Sequence, residues 1–487
     1  MKRYLLFTCL ILALLALVAC APGAGSEPGV ASSGETPLPA TATPTPTSAP
    51  GETVVAVPTA APIEMTTPTA TPIAAAVDPT PVPPPALPRE AVDNLTAVSA
   101  QAIAYLQEGT LFIRALPDGQ PVVVESCPEG STCIQRYFKW SPDGSQLLFF
   151  SYTRSDDGAV AALKVADRQG AVQLVSDDVR DFQPGAWSPD GRAIAFMSAT
   201  DTYTEGSETQ PGGRQIDVWT AAVDEAGVVG APQAAGSWLQ VGDGCGGGGR
   251  SASEVLYENE GGTSYGYLMG VLEWSAADVL LFTRDCTNIG IGRYDLAAQT
   301  ALPDFAQPLR NLVLNNARDR WYAVTGYSWT TDPGNNELVT GTPDAVEVTV
   351  IPTSAPVELV FVGPVSGALY YTERTPLGRD EVLDRGMYFA YFQSALWRLQ
   401  PDGSGEAVLW GDADDHAYAQ VTETAVGDVL MVVVENEAAL FAAAQDASLD
   451  DAALQAFMPQ RRIVLLPAAG GEPQVVLSNA GQPALAR

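Results

Sequence analysis

Trp140-Ser141-Pro142-Asp143-Gly144 and Trp187-Ser188-Pro189-Asp190-Gly191 are the same pentapeptide, with their tryptophans 47 residues apart. Each copy leads into a β-prone run, Leu147-Leu148-Phe149-Phe150-Ser151 in the first and Ala193-Ile194-Ala195-Phe196-Met197-Ser198 in the second. Proline sets φ for a turn, aspartate bonds its own backbone, and glycine accepts positive φ. The unit therefore reads as strand–turn–strand, repeated at the interval of a propeller blade. Weaker copies follow. Leu272-Glu273-Trp274-Ser275 with Val279-Leu280-Leu281-Phe282 keeps the pattern but lacks Pro-Asp-Gly, and Leu312-Val313-Leu314 with Trp321-Tyr322-Ala323-Val324 is expected to be another copy. Further strands are expected at Val357 to Val362, Ala368 to Tyr371, Ala395 to Leu399, Val429 to Val434, Ile463 to Leu466 and Val475 to Leu477. Such continuous apolar runs suit strands covered on both faces.

The two strong copies resemble the repeats of TolB-like β-propellers, relatives of the WD-repeat propellers. The expected fold is all-β. Seven four-stranded blades lie near 101–125, 134–176, 182–240, 268–304, 309–352, 356–410 and 417–479, with six blades as the runner-up. Two β-sandwiches are the other architecture weighed. The chain ends carry their own signal. Ala102-Ile103-Ala104-Tyr105 matches Ala193-Ile194-Ala195-Phe196, a second strand with no first strand before it. Gln482-Pro483-Ala484-Leu485-Ala486 matches Gln183-Pro184-Gly185-Ala186-Trp187, a first strand. The C-terminal strand is thus expected to complete the first blade, leaving few open sheet edges.

Two segments precede the propeller, which spans 97–487. In residues 1–20, Lys2 and Arg3 precede an apolar run, Tyr4 to Val18, that is short for a membrane span. It ends in Leu17-Val18-Ala19-Cys20. This resembles the bacterial lipoprotein signal, which implies a lipidated Cys20, stable membrane anchoring and an extracytoplasmic location, periplasmic or cell-surface. Residues 21–96 form a linker, expected to be disordered; its stretch 21–90 holds 17 of the 38 prolines and 12 threonines, and no aromatic residue. It cannot bury enough surface to offset its chain entropy and is read as a solvated spacer.

The net charge of -32 argues against nucleic acid as a partner. Residues before 97 account for little of it: the remainder holds 22 basic and 50 acidic residues. Four cysteines besides Cys20 follow the signal. Cys127 and Cys133 enclose a turn-rich loop and are expected to pair, which leaves Cys245 to pair with Cys286. Gly262-Thr263-Ser264-Tyr265-Gly266 fits the nucleophile-elbow pattern G-x-S-x-G, but no hydrolase domain has room to follow, and His416 is the single histidine for any triad. No catalytic residue and no cofactor is assigned. Asp412, Asp414 and Asp415 beside His416 are the weak metal candidates; they lack the glycine and distal glutamate of an EF-hand loop, and a solvated turn is favoured. Tyr257, Tyr265 and Tyr267, and Tyr388, Tyr391 and Phe392, cluster in two insertions and are read first as loop packing.

The resulting expectation is a monomeric, non-enzymatic, lipid-anchored module. It binds a protein or glycan partner at one propeller face. The competing expectation is an exported hydrolase or lyase acting on glycan or peptide through such a face.

Overall fold

A computed structural model describes residues 95–486, apart from 156–157, 178, 180–184, 205–212, 242–269, 284–290, 306, 327–335, 374, 379–389, 393–394, 412–415, 436–442 and 444–459. The signal and most of the linker therefore lie outside the described residues. Among those described, no helix is long and apolar enough to cross a membrane.

Among the described residues, thirty strands build seven four-stranded antiparallel sheets and one extra hairpin. Strands β1 (Ala102–Gln107), β2 (Thr110–Ala115) and β3 (Pro121–Glu125) belong to blade 1. Blade 2 is β4 (Thr132–Trp140), β5 (Gln146–Ser155), β6 (Gly158–Asp167) and β7 (Val172–Ser176). Blade 3 is β8 (Ala186–Trp187), β9 (Ala193–Thr204), β10 (Gly213–Ala222) and β11 (Gln233–Val241). Blade 4 is β12 (Gly270–Trp274), β13 (Val279–Thr283), β14 (Ile291–Asp295) and β15 (Thr300–Ala301). Blade 5 is β16 (Leu309–Leu314), β17 (Trp321–Thr325), β18 (Leu338–Gly341) and β19 (Thr349–Ile351). Blade 6 is β20 (Val357–Val362), β21 (Leu369–Glu373), β24 (Ala395–Leu399) and β25 (Ala407–Gly411), with the hairpin β22 (Thr375–Gly378) and β23 (Ala390–Phe392) set between its second and third strands. Blade 7 is β26 (His416–Glu423), β27 (Val429–Glu435), β28 (Gln460–Leu466) and β29 (Gln474–Ser478).

The last strand, β30 (Ala480–Ala486), pairs with β1 and gives blade 1 the order β3-β2-β1-β30. The C-terminus thus supplies the missing first strand, as the end motifs predict. The poorly patterned stretch 309–352 is a full blade, so the count is seven and the six-blade alternative falls. The two β-sandwiches fall with it, because each sheet packs on its two neighbours in sequence.

The core is divided accordingly. Among the described residues there are seven hydrophobic clusters, one at each blade interface. Alternation on the second strands feeds both sides. Leu147 and Phe149 of β5 face blade 1, while Leu148, Phe150 and Tyr152 face blade 3. This is why β17 and β27 are almost wholly buried.

The pentapeptide turns do what their composition predicts. Ser141 Oγ donates to Asp143 Oδ1 at 2.5 Å and accepts from the Gln146 N–H at 3.0 Å, while Gly144 sits at φ 68°. Ser188, Asp190 and Gly191 repeat the arrangement. Both aspartates are turn residues, and the serine hydroxyl is the main cause holding each carboxyl below its usual range. The tryptophans have a second task. Trp187 Nε1 donates to the Lys139 carbonyl of blade 2 at 3.0 Å, and Trp140 Nε1 donates to the Ala484 carbonyl of β30 at 2.9 Å. The same bond therefore ties blade 3 to blade 2 and blade 2 to the C-terminal strand.

Cys127 and Cys133 form a disulfide with Cα atoms 5.5 Å apart, at the junction of blades 1 and 2. Cys245 and Cys286 lie outside the described residues. Breaking the Cys127–Cys133 link with reductant is expected to cost at most about 2 kcal/mol, because the closed loop is short; urea denaturation with and without reductant measures this. Deleting residues 480–487 is expected to have a much larger effect, lowering the melting temperature by more than about 10 °C or abolishing a single cooperative transition. A calorimetric scan that leaves the transition unchanged would refute closure by β30.

Candidate functional site

Strand direction sorts the connections onto two faces. Turns between first and second strands, and between third and fourth, share one face. Most of them are short, 223–232 being the longest, and they brace each other: the Arg168 Nε donates to the Gly144 carbonyl at 2.8 Å, and the Ala468 N–H donates to Asp428 at 2.8 Å. Connections between second and third strands, and between blades, link the strands at the opposite edge; the longest of these are 242–269, 374–394 and 436–459.

Most sequence candidates belong to this second set of connections. Ser264 in Gly262 to Gly266, together with Cys245, Tyr257, Tyr265 and Tyr267, belongs to 242–269; Cys286 belongs to 284–290, Tyr388 to 379–389, and Asp412, Asp414 and Asp415 to 412–415. All of these lie outside the described residues. His416 opens β26, and Tyr391 and Phe392 lie in β23. The strands flanking 242–269, β11 and β12, belong to antiparallel propeller sheets, whereas a nucleophile elbow needs a parallel sheet.

The innermost strands carry a repeated irregularity that the sequence does not announce. Register shifts occur in the pairing of six of them. Tyr137, Asn311, Gln420 and Gln482 take positive φ, each three residues before the strand position of Trp140, Leu314, Glu423 or Leu485. Bulges of this kind bend the strand and re-aim its side chains. Around them, ion pairs join different blades. Lys139 of blade 2 reaches Glu273 of blade 4 at 3.6 Å, across the very short β8. Burial lowers the Lys139 pKa, and Glu273 opposes that shift. Arg310 of blade 5 grips both oxygens of Glu358 of blade 6, at 3.1 and 3.0 Å, and its Nη1 also donates to the Glu358 carbonyl. Asn311 Oδ1 accepts from the Val360 N–H at 2.6 Å. Arg318 Nη1 donates to the carbonyls of Trp187 and Trp274, at 2.8 and 3.2 Å, and so spans blades 3, 4 and 5. The inner polar groups are thus largely committed to holding blades together. Among the described residues, the Gln135 amide is buried and makes no hydrogen bond to protein, and Arg310 Nε is likewise without one. Burial pushes the Tyr137 hydroxyl up to about 12.

A cavity of about 790 Å³ opens on the short-turn face where the ring closes. Val98, Gln101, Pro364, Glu423 and Leu485 are among the residues lining it. Glu423 is its sole carboxylate, and that group is already occupied. Its oxygens accept from the Ser366 hydroxyl at 2.6 Å, the Ser366 N–H at 2.9 Å, the Val365 N–H at 3.1 Å and the Tyr370 hydroxyl. The cavity therefore offers shape rather than a free acid–base pair.

The 30 strands together hold eleven basic and ten acidic residues. The acidic excess of the chain thus lies outside the strands. No family model matches the chain, and no curated protein matches it. Solved structures with a similar course include puromycin hydrolase, at 13% identity and a TM-score of 0.41, covering 72% of this chain and 52% of that one. TolB from Acinetobacter baumannii is 16% identical with a TM-score of 0.36, covering 65% and 67%. The β-propeller domain of the Trilobed protease from Pyrococcus furiosus is 10% identical with a TM-score of 0.38, covering 71% and 83%. The chain spans about half the length of puromycin hydrolase. Peptidases and TolB both appear, so the likeness does not choose between hydrolysis and binding.

Glu423 and Glu406 generate an acid-stability prediction. For Glu423, burial alone would raise the pKa, but the hydrogen bonds from Ser366, Tyr370 and Val365 outweigh it and leave it lowered. Glu406 is lowered in the same way by Ser354 and Tyr371. A carboxyl held below its unfolded value stabilises above that value, about 4.3, and the contribution is lost as pH falls through the folded pKa. Glu423→Gln is therefore expected to destabilise by about 1–3 kcal/mol at neutral pH and to flatten the acid limb below about pH 4. Melting temperatures from pH 2 to 7 check this; an acid limb identical in parent and variant would refute it.

Proposed function

We propose that this protein is a lipid-anchored, extracytoplasmic propeller that serves as a binding or scaffold module at the cell envelope. One observation carries the reading: the described chain enters the ring on the short-turn face. Leu95 and Val98 pack into the cluster between blades 7 and 1, and the Ser99 carbonyl accepts from the Ala425 N–H at 3.0 Å. The chain that follows Cys20 would therefore join the ring through that face, and a partner would be met by the connections of the opposite edge. Connections on a framework of packed strands are the usual seat of recognition. The resemblance to TolB-like repeats supports the same reading. The lipobox-like Leu17-Val18-Ala19-Cys20 supports anchoring, and the acidic connections favour a cationic partner surface.

Two measurements test this. Cys20→Ser is expected to move the protein from the detergent-extracted membrane fraction to the soluble fraction and to end incorporation of labelled palmitate. In-cell crosslinking of the full chain is expected to capture a defined envelope partner, with capture unchanged by Ser264→Ala. A peptidase or glycosidase activity of the purified protein that Ser264→Ala or His416→Ala abolishes would overturn the binding reading.

A further inference from the structure

The outer rim of the ring is chemically unlike the rest of the surface. The seven outermost strands, β3, β7, β11, β15, β19, β25 and β29, contain one charged residue between them, Glu125. Five of the ten exposed large aliphatic residues stand on these strands: Val123, Val172, Leu174, Val350 and Val408. Sheet edges in soluble proteins are usually blunted by lysine, proline or other charge, because unpaired backbone groups invite a further strand. On these strands the only proline and the only charge are Pro121 and Glu125 of β3; β7 carries neither, although its pairing with β6 shifts register between Leu163 and Lys164.

The edge of blade 2 is the most developed case. β7 reads Val-Gln-Leu-Val-Ser and pairs only with β6. Val172 and Leu174 are 42% and 53% exposed, and they sit opposite Ala166 and Lys164. Ala166 packs in the cluster shared with blade 1, so Val172 and Leu174 lean into the cleft between the rims of blades 1 and 2. Lys164 and Glu125, 3.0 Å apart, close the inner end of that cleft. On the other side, Gln173 is clamped to blade 3: its Nε2 donates to the Gly227 carbonyl and its Oε1 accepts from the Val229 N–H, both at 3.0 Å. The strand is therefore clamped through Gln173, and among the described residues no strand pairs with its outer backbone edge. That is preorganisation for strand addition.

The charge around this edge selects the occupant. Asp177 follows β7 directly and is exposed, as are Asp224 and Glu225 on the neighbouring turn of blade 3, where Glu225 stands 3.9 Å from Arg192 and Asp224 Oδ1 accepts from the Ala226 and Val228 N–H groups. A second copy of the chain would bring like charge to like charge, since residues 97–487 carry 22 basic and 50 acidic residues. We infer that β7, with its cleft toward blade 1, is a docking edge for an extended, basic segment of a partner protein, added as a fifth strand. Aliphatic side chains of the segment would pack on Val172 and Leu174, and its Lys or Arg residues would face Asp177 and the blade 3 turn. This site is on the rim and does not depend on which face serves the proposed scaffold role.

The test uses the full-length protein and two capped heptapeptides of alternating valine and threonine, one flanked by lysines and one by glutamates. Fluorescence anisotropy should show the lysine-flanked peptide binding at least about tenfold more tightly. Hydrogen exchange should slow at the β7 amides on binding. Leu174→Lys should weaken binding about tenfold or more, and Leu174→Thr, which keeps the strand but trims the apolar contact, by a few-fold. Leu174 is half exposed, so unchanged melting temperatures would show that both variants fold. Failure of the lysine-flanked peptide to bind, equal binding of the two peptides, binding indifferent to Leu174→Lys, or a dimer in sedimentation that Leu174→Lys dissolves would each overturn the inference.

Discussion

Everything in this structure depends on the first and last blades meeting. A blade buries its two faces against two neighbours, so a ring left open exposes two apolar sheet faces and the unpaired inner edge of β1. Strand β30 removes that problem with covalent economy, because one chain supplies blade 1 from both of its ends. The register Ala102↔Ala486 through Gln107↔Ala480 closes the sheet, and the Trp140–Ala484 bond fastens the closing strand to blade 2. The tryptophan of the repeat therefore has a geometric purpose beyond filling space. It reads the carbonyl one position before the corresponding residue of the preceding blade, Lys139 in one case and Ala484 in the other.

Closure also explains why so many polar groups act between blades rather than within them. Inner strands converge, so their side chains crowd, and the bulges at Tyr137, Asn311, Gln420 and Gln482 relieve the crowding at the cost of ladder bonds. Side chains at the Asn311 bulge find partners on the adjacent strand, where Asn311 takes the Val360 N–H and Arg310 takes Glu358, and from the turn that follows Arg318 takes two carbonyls at once. A buried ion pair contributes little net stability when compared with apolar packing, but removing one partner is costly. Such pairs at the blade seams penalise slippage of one blade against the next.

The parts legible in the sequence were those with local signatures. Pro-Asp-Gly turns, apolar second strands and the matched ends at Ala102 and Ala484 located all seven blades, and the close spacing of Cys127 and Cys133 matched their disulfide. The parts that were not legible have causes of a different kind. Glu423 is indistinguishable from any acidic strand end until its donors, more than fifty residues away, are placed around it. Arg318 sits in a turn and looks solvated, yet it bonds a carbonyl 131 residues distant. The hairpin of β22 and β23 lies in a stretch without alternating pattern, and the inner-strand bulges depend on convergence of seven strands, a property of the ring and not of any segment.

The distribution of charge follows from the same architecture. Second and third strands have apolar neighbours on both sides, so a charge there must be paired: Arg462 with Glu435, and Lys164 with Glu125. With blade strands close to neutral, a strongly acidic chain can place its excess only in turns and connections. The two faces are consequently electrostatic surfaces, and the rim is a backbone surface with little charge of its own. A partner approaching a face is sorted by sign and range, whereas a partner approaching the rim is sorted by its ability to extend a sheet. On the proposed readings one ring would offer two independent modes of recognition, sign of charge at the faces and strand addition at the rim.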